Sequence, residues 1–308
     1  MILSAGLTPA WQQTLLFEQL TPGEVNRAIE SHWCASGKVL NAAAAVHHLG
    51  GPSRLISVVG GPAREEIEQD MAQMGVEARW IVTHSRTRVC TTVIDRSAHV
   101  TTELVEEALP LSDDELDAFQ SAYADEAVEA EAAILSGSLP QGVPTSLYRD
   151  LVEATACPVI LDFRGDGLRQ TLDLEPLLVK PNREELGNTA ERELTDDADV
   201  HRAMRELNAA GARWVLVTQG NGPLWLSSKD ELHEILPLEA ESYQNTIGSG
   251  DTLAAGVACG LREGREMTEA VRLGVAAATL NIETILPARF DGRRAHLLAE
   301  RVEMRRID

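Results

Sequence analysis

Lysine is almost missing from this 308-residue chain: Lys38, Lys180 and Lys229 are the only three, and arginine supplies the other basic side chains. Acidic residues outnumber basic ones by 48 to 27, for a formal net charge of −21. That excess argues against nucleic acid and anionic membrane surfaces as partners. An anionic substrate has to be met by local positive charge, so a lysine inside a motif counts as placed. Cysteine is sparse as well. Cys34, Cys90, Cys157 and Cys259 are scattered, with no CxxC pair and no zinc spacing, and reduced thiols in a cytoplasmic protein are the expectation. No apolar run approaches the length of a membrane span. The first residues lack a basic stretch followed by a long apolar one, so no signal peptide is expected. There is no Gly-x-x-x-x-Gly-Lys-[Ser/Thr], which excludes a P-loop. Nor does a Gly-x-Gly-x-x-Gly open a βαβ unit, because Leu253 stands where the third glycine after Gly248-x-Gly250 would fall.

What is present is an alternation of strand and helix patterns. Strands are expected at Met1–Leu7, Leu55–Val59, Trp80–Thr83, Val89–Ile94 and Val100–Val105, with helices at Leu40–Leu49 and Arg64–Met74. Beyond Pro110 come an acidic helix at Ser112–Glu129, a strand at Ala132–Leu135 and a helix at Thr145–Ala154. Strands follow at Val159–Asp162 and Leu177–Val179, then a helix at Asp197–Ala210, a strand at Trp214–Thr218 and a hairpin through Leu224–Ser227. Such alternation predicts an α/β fold, a mostly parallel sheet with helices on both faces. Neither a repeat nor a low-complexity linker interrupts it, so 1–308 reads as one domain. The segments near 11–35 and 86–105 are candidates for a small β-sheet lid. Ligands of parallel sheets sit outside the carboxyl ends of the strands, so the loops after Ser136, Asp162, Lys180 and Thr218 should gather near Gly248.

The stretch with the most chemistry is Asn245-Thr246-Ile247-Gly248-Ser249-Gly250-Asp251-Thr252, followed by small and apolar residues through Leu261. Two glycines one residue apart permit a tight turn, and the small-residue run reads as a buried helix starting near Asp251. Free N–H groups at such a start favour an anion. A carboxylate on the first turn then lies beside that anion, placed to take a proton from a hydroxyl. An anion hole with a base is the apparatus of phosphoryl transfer to an alcohol. An Asp capping an ordinary helix after a glycine turn gives the same local pattern. Elsewhere, Asn182-Arg183-Glu184-Glu185 after Lys180-Pro181 has the spacing of a capping box, and Thr218-Gln219-Gly220-Asn221-Gly222 that of a hairpin turn.

Thr246-x-Gly248-x-Gly250-Asp251 leading into a small-residue helix resembles the C-terminal motif of the PfkB, or ribokinase-like, carbohydrate kinases. The resemblance implies a three-layer α/β/α sandwich, ATP and Mg²⁺ as cofactors, and phosphoryl transfer to a sugar or sugar-phosphate hydroxyl. It makes Asp251 the catalytic base and the amides of Gly248, Ser249 and Gly250 the anion hole. Lys180-Pro181-Asn182-x-x-Glu185-Leu186 resembles the family's Asn-x-x-Glu element, which implies that Glu185 helps organise Mg²⁺ through water and that Lys180 and Asn182 face ATP. Thr218 and Gly220 would line the nucleotide site, and Asn281 would approach the adenine unless it is simply a polar helix residue.

Ser36-Gly37-Lys38-Val39-Leu40-Asn41 lies where the family carries Gly-Gly-Lys-Gly-x-Asn, the sugar-binding element. Pro22-Gly23-Glu24-Val25-Asn26-Arg27-Ala28 and Ser136-Gly137-Ser138-Leu139-Pro140 resemble the 1-phosphofructokinase and tagatose-6-phosphate kinase branch. Gln12, Gly37, Lys38, Asn41, Arg88 and Ser138 thus become substrate-binding candidates, with Lys38 and Arg88 as grips on a phosphate already on the acceptor. At this end the chain departs from the pattern. Thr8-Pro9-Ala10-Trp11-Gln12 replaces Asn-Pro-Ala-x-Asp, putting a neutral donor and acceptor where a carboxylate accepts sugar hydroxyls. Ser36 and Val39 add side chains where glycines let backbone approach the sugar, and Cys90 stands near a common Asn. The resemblance also implies that a lid-to-lid homodimer is possible. A nucleoside or small-alcohol kinase, and a sugar-phosphate-binding protein without turnover, are the other readings of the same residues.

Overall fold

Alternating apolar side chains build a ten-stranded sheet whose two faces bury separate cores. The structure is a computed structural model describing residues 1–308. In chain order the strands are β1 (Ile2–Gly6), β2 (Ala10–Phe17), β3 (Glu30–Ser36), β4 (Ser53–Gly60), β5 (Glu77–Thr83), β6 (Arg88–Asp95) and β7 (Val100–Val105). They continue as β8 (Ala132–Ser136), β9 (Val159–Asp162), β10 (Leu178–Val179), β11 (Trp214–Val217), β12 (Leu224–Ser227), β13 (Leu232–Ile235) and β14 (Met304–Arg306). The helices are α1 (Lys38–His48), α2 (Arg64–Gln73), α3 (Asp113–Ala127), α4 (Leu147–Glu153), α5 (Asp166–Arg169), α6 (Arg183–Thr189), α7 (Asp197–Ala210), α8 (Ser249–Arg262), α9 (Met267–Ile282) and α10 (Gly292–Ala299).

The large sheet runs β14-β13-β12-β11-β10-β9-β8-β1-β4-β5. From β11 to β5 every neighbour is parallel. One face buries Ile2, Leu55, Ile134, Ile160 and Leu216 with the apolar faces of α1, α8 and α9. The other buries Leu3, Ile56, Leu135, Leu161 and Val215 with residues of α3, α4 and α7. Each strand thus feeds both cores by turns, as its period of two requires. The small residues after Asp251 let α8 approach α9 closely: a Cβ on Gly256 would lie 2.5 Å from the Gly274 Cα. Ser112 and Glu115 close a capping box at the start of α3, which ends the expected acidic helix two residues short of Glu129.

The expected hairpin at Leu224–Ser227 is present as β12, antiparallel to β11. Two further antiparallel strands, β13 and β14, extend that edge. Their sequences, Leu-His-Glu-Ile and Met-Arg-Arg, carry too few β-branched residues to announce themselves. The segment Trp11–Trp33, mixed in pattern, resolves into β2 and β3 with a polar loop between them. These two strands join β6 and β7 in a second sheet ordered β3-β2-β6-β7. One of its faces carries Gln12; the other carries Trp11, stacked on Trp33 with ring centroids 5.8 Å apart.

The chain order reverses between β1 and β8, because β4 and β5 grow outward from β1 while β9 to β11 grow away on the other side. A crevice opens at the carboxyl ends of strands where such a reversal occurs.

Candidate active site

Three parallel strands deliver side chains to that crevice. Asp162 ends β9, Lys180 directly follows β10, Asn182 caps α6, and Thr218 follows β11. From the side of the second sheet, the turn from β3 into α1 contributes Ser36, Gly37, Lys38 and Asn41. Lys38 and Asn41 lie three residues apart and so share one face of α1. The loop before α8 supplies Thr246, Ile247, Gly248, Gly250 and Asp251. All of these line one cavity of about 450 Å³, together with Ala10, Gln12, Arg88, Cys90, Glu103, Val105, Glu185 and Gly220. The loops after Asp162, Lys180 and Thr218 meet near Gly248 as expected, while the loop after Ser136 lines an adjoining cavity instead.

Asp251 lies on the first turn of α8 and is 7% exposed. Its Oδ2 accepts a hydrogen bond from Asn41 Nδ2 at 2.8 Å. Burial raises its carboxyl to about 6; Asp162 adds to the rise, while Lys38, Asn41 and Lys180 oppose it. A carboxylate whose ordinary value is near 4 is thereby poised close to neutral pH, where a general base works best. Ahead of it, Gly248 has φ of 82°, a conformation that L side chains rarely adopt, and a Cβ there would come within 2.8 Å of Pro287. Of the first N–H groups of α8, that of Ser249 donates to Thr246 O at 3.3 Å, and those of Gly250 and Asp251 have no partner. Lys180 Nζ stands over them, 3.3 Å from where a Gly250 Cβ would be.

The two placed lysines converge on one carboxylate. Lys38 Nζ lies 2.9 Å from Asp162 Oδ1, and Lys180 Nζ lies 3.1 Å from Asp162 Oδ2. Lys38 also reaches Glu185 Oε1 at 3.0 Å. Burial alone would raise the Asp162 carboxyl, but Lys180 and Lys38 together hold it below its ordinary range. Burial likewise disfavours the Lys38 charge, and Asp162, Glu185 and Asp251 outweigh it, raising that ammonium. Lys38 is therefore held by two carboxylates at the centre of the site, where it lines both the cavity in front of Asp251 and the adjoining one that holds Arg88. Sequence reasoning gave Asp162 no role of its own; its place at a strand's carboxyl end was the available signal.

Asn182 closes the capping box that its spacing predicts. Its side chain accepts from Glu185 N at 2.7 Å, and Glu185 Oε2 accepts from Asn182 N at 3.0 Å, so a capping box lies in the cavity wall. Both Glu185 oxygens are thus engaged. No group of three or more His, Cys, Asp or Glu side chains is placed to hold a metal ion, while Asp162 and Glu185 put two carboxylates in the cavity wall. Thr218 and Gly220 border a second cavity of about 690 Å³, walled by Leu224, Leu238, Val275 and Ile282. Ser249 and Gly250 also line it, which puts an apolar slot next to the free amides.

Asn281 departs from expectation. Only 1% exposed, it does not border that slot. Its Nδ2 donates to Ile247 O at 2.9 Å and to Ser249 Oγ at 3.0 Å, while its Oδ1 accepts from Ala288 N. A buried amide with those partners holds the anion-hole loop in shape. Val39 departs too: it is 1% exposed and belongs to the core packed around α1, so it does not crowd the cavity.

At the acceptor end, Gln12 is buried and its Nε2 donates to Thr92 Oγ1 at 2.7 Å. Cys34 and Cys90 flank it at the same register on β3 and β6. Burial pushes the Cys34 thiol up to about 12 and raises Cys90 as well, so both stay neutral. Arg88 spreads its guanidinium over the carbonyls of Thr8, Pro9 and Glu106. It lines an adjoining cavity of about 590 Å³ with Ser138, Tyr148, Phe163 and Arg164. Burial raises the Glu103 carboxyl in this wall, and Arg88 counteracts it. Arg164, which sequence reasoning did not single out, has no carboxylate partner, and neither has Arg88.

A carboxylate base at a helix start, free amides ahead of it and lysines over the gap define a phosphotransferase acting on an alcohol. The chain belongs to the pfkB family of carbohydrate kinases, whose match runs over residues 10–289. It is a sugar kinase with a ribokinase-like fold, and ATP is the donor expected of that family. A 1-phosphofructokinase of Vibrio cholerae is 26% identical over 307 residues, covering 98% of this chain and 96% of the relative. Phosphofructokinase-2 from Escherichia coli in complex with fructose-6-phosphate matches at 25% identity with a TM-score of 0.84, over 97% of this chain and 98% of that one. A possible 1-phosphofructokinase from Thermotoga maritima has a TM-score of 0.90 at 19% identity, over 100% and 99% of the two chains, and supports the fold. No helix is long and apolar enough to cross a membrane.

Proposed function

We propose that this kinase transfers the γ-phosphoryl group of MgATP to a hydroxyl of a sugar phosphate whose shape differs from fructose 1-phosphate and tagatose 6-phosphate. One observation carries the reading. The cavity in front of Asp251 adjoins a second one where Arg88 and Arg164 have no carboxylate partner, while the central lysines are already neutralised by Asp162 and Glu185. An acceptor can thus set a hydroxyl at Asp251 and its own phosphate between Arg88, Arg164 and Ser138. The second sheet acts as a lid over this acceptor.

Asp251 takes the hydroxyl proton as the acceptor oxygen bonds to the γ-phosphorus and the bond to the β-γ bridging oxygen breaks, releasing ADP. The amides of Gly248, Ser249 and Gly250 stabilise the charge spread over the transferred group, and Lys180 and Lys38 stand over it. The apolar slot takes the base of the nucleotide. Glu185 would help hold a Mg²⁺ ion arriving with ATP, through water, and the ion would supply neutralisation of phosphate charge. Gln12, offering one carbonyl and one NH₂, suits an acceptor with a carbonyl or carboxylate beside its hydroxyls.

The test is ADP release with a panel of free sugars, sugar phosphates and phosphorylated sugar acids. Turnover confined to phosphorylated acceptors is expected. Equal kcat/KM for free sugars or nucleosides would overturn the reading.

A further inference from the structure

Asp251 has a single protein donor, and that donor is itself held from behind. Ser36 Oγ donates to Asn41 Oδ1 at 3.1 Å, and Asn41 Nδ2 donates to Asp251 Oδ2 at 2.8 Å. Ser36 is 1% exposed and Asn41 3%, so solvent does not stand in for either partner. A Cβ on Gly248 would lie 3.3 Å from Asn41 Nδ2, so the amide is also wedged against the loop before α8. Ser36 occupies a position where the sugar-binding element resembled above carries glycine.

We propose that Ser36 is a positioning residue for the base: it fixes the Asn41 amide so that one oxygen of Asp251 is held and the other is left for the acceptor hydroxyl. The proposal rests on Asp251 being that base. Its chemistry is that of donors and acceptors. An ionised carboxylate only accepts, so the amide must turn its NH₂ toward Asp251, which leaves Oδ1 facing Ser36. Only a donor can satisfy that oxygen in a buried place, and the Ser36 hydroxyl is the donor present. Polarising the amide from behind also strengthens the bond it makes in front. Without Ser36, the Asn41 oxygen is stranded, the amide turns toward the cavity to find water, and Asp251 loses its donor.

The charged groups around Asp251 are Asp162, Lys38 and Lys180, with Glu185 beyond Lys38. None of them hydrogen-bonds to Ser36, whose hydroxyl is given to Asn41, so a change at Ser36 breaks none of their ion pairs. In the native enzyme kcat/KM should fall as pH drops through about 6, where Asp251 becomes protonated. A hydrogen bond to the charged form lowers a carboxyl, so losing it moves the acid limb upward, by about one pH unit.

The experiment compares pH profiles of kcat/KM for native enzyme, Ser36→Ala, Ser36→Thr and Asp251→Asn, with thermal melts as a check on folding. Ser36→Ala should move the acid limb up by about one unit with KM for ATP unchanged, and Ser36→Thr, which keeps the hydroxyl, should restore the native limb. A folded Ser36→Ala enzyme with the native limb overturns the proposal, even if its kcat is lower. Asp251→Asn retaining native turnover instead overturns the assignment of the base, a separate failure.

Discussion

The two ends of the active-site cleft are built differently. At the donor end, the loop before α8, Lys180, the Asn182–Glu185 capping box and Thr218 all come from the parallel sheet's carboxyl edge and α8. Each stands where its motif implies. At the acceptor end, Gln12, Ser36, Cys90 and Arg88 come from the smaller sheet, and three of these four are not the residues the motif implies. The contrast teaches that departures from the family motif collect on the small sheet, while the crevice edge of the large sheet keeps the motif residues. The donor side handles a group common to all acceptors, and geometry there permits little variation. The acceptor wall is a set of cross-strand side chains, and exchanging one leaves the backbone ladder intact.

The largest effect should come from the donor end. Asp251→Asn is expected to lower kcat by roughly 10²–10⁴ while ATP still binds, since a general base is worth about that much. Steady-state turnover with a nucleotide-binding titration checks it; turnover near native would remove Asp251 from the mechanism and with it the contrast.

The place of Asp251 at the start of a buried helix was legible because glycines, a carboxylate and a small-residue run are contiguous, whereas its role as base came from the family resemblance. Asn182 and Glu185 were legible for the same reason. Asp162 was not, because its importance arises from two lysines that come to it from α1 and from the end of β10. Asn281 was misjudged in the same way: its partners, Ile247, Ser249 and Ala288, belong to a loop whose path the sequence does not spell out. Val39 shows the limit of motif reading, since helical phase turns it into the core while Lys38 and Asn41 face the cavity. The parallel body of the sheet could be read from its β-branched strands. The β13–β14 edge could not, its strands being short and charged.

Lys38 stands at the border between the two ends and sharpens the comparison. If it served the acceptor's phosphate, removing it would raise KM for phosphorylated acceptors alone. Its ion pairs with Asp162 and Glu185 are the ground for the opposite expectation, a role at the transferred group. Lys38→Met should therefore lower kcat by about 10² for every acceptor, as loss of one stabilising group for transition-state charge does. A rise in KM limited to phosphorylated acceptors, with kcat intact, would return Lys38 to the acceptor end.

The smallest effect concerns Gln12, and it bears most directly on the claim that the acceptor wall has been rewritten. A carboxylate accepts hydroxyl hydrogens in charge-assisted bonds about twice as strong as neutral ones, while Gln12 is a neutral amide with one N–H already given to Thr92. The deciding measurement is kcat/KM for fructose 1-phosphate and tagatose 6-phosphate in native enzyme and in Gln12→Asp. The account predicts poor native turnover of both, improved about tenfold in the variant, the equivalent of one hydrogen bond to a charged group. Efficient native turnover of either sugar phosphate would contradict it, and the acceptor end would then be that of an ordinary phosphofructokinase.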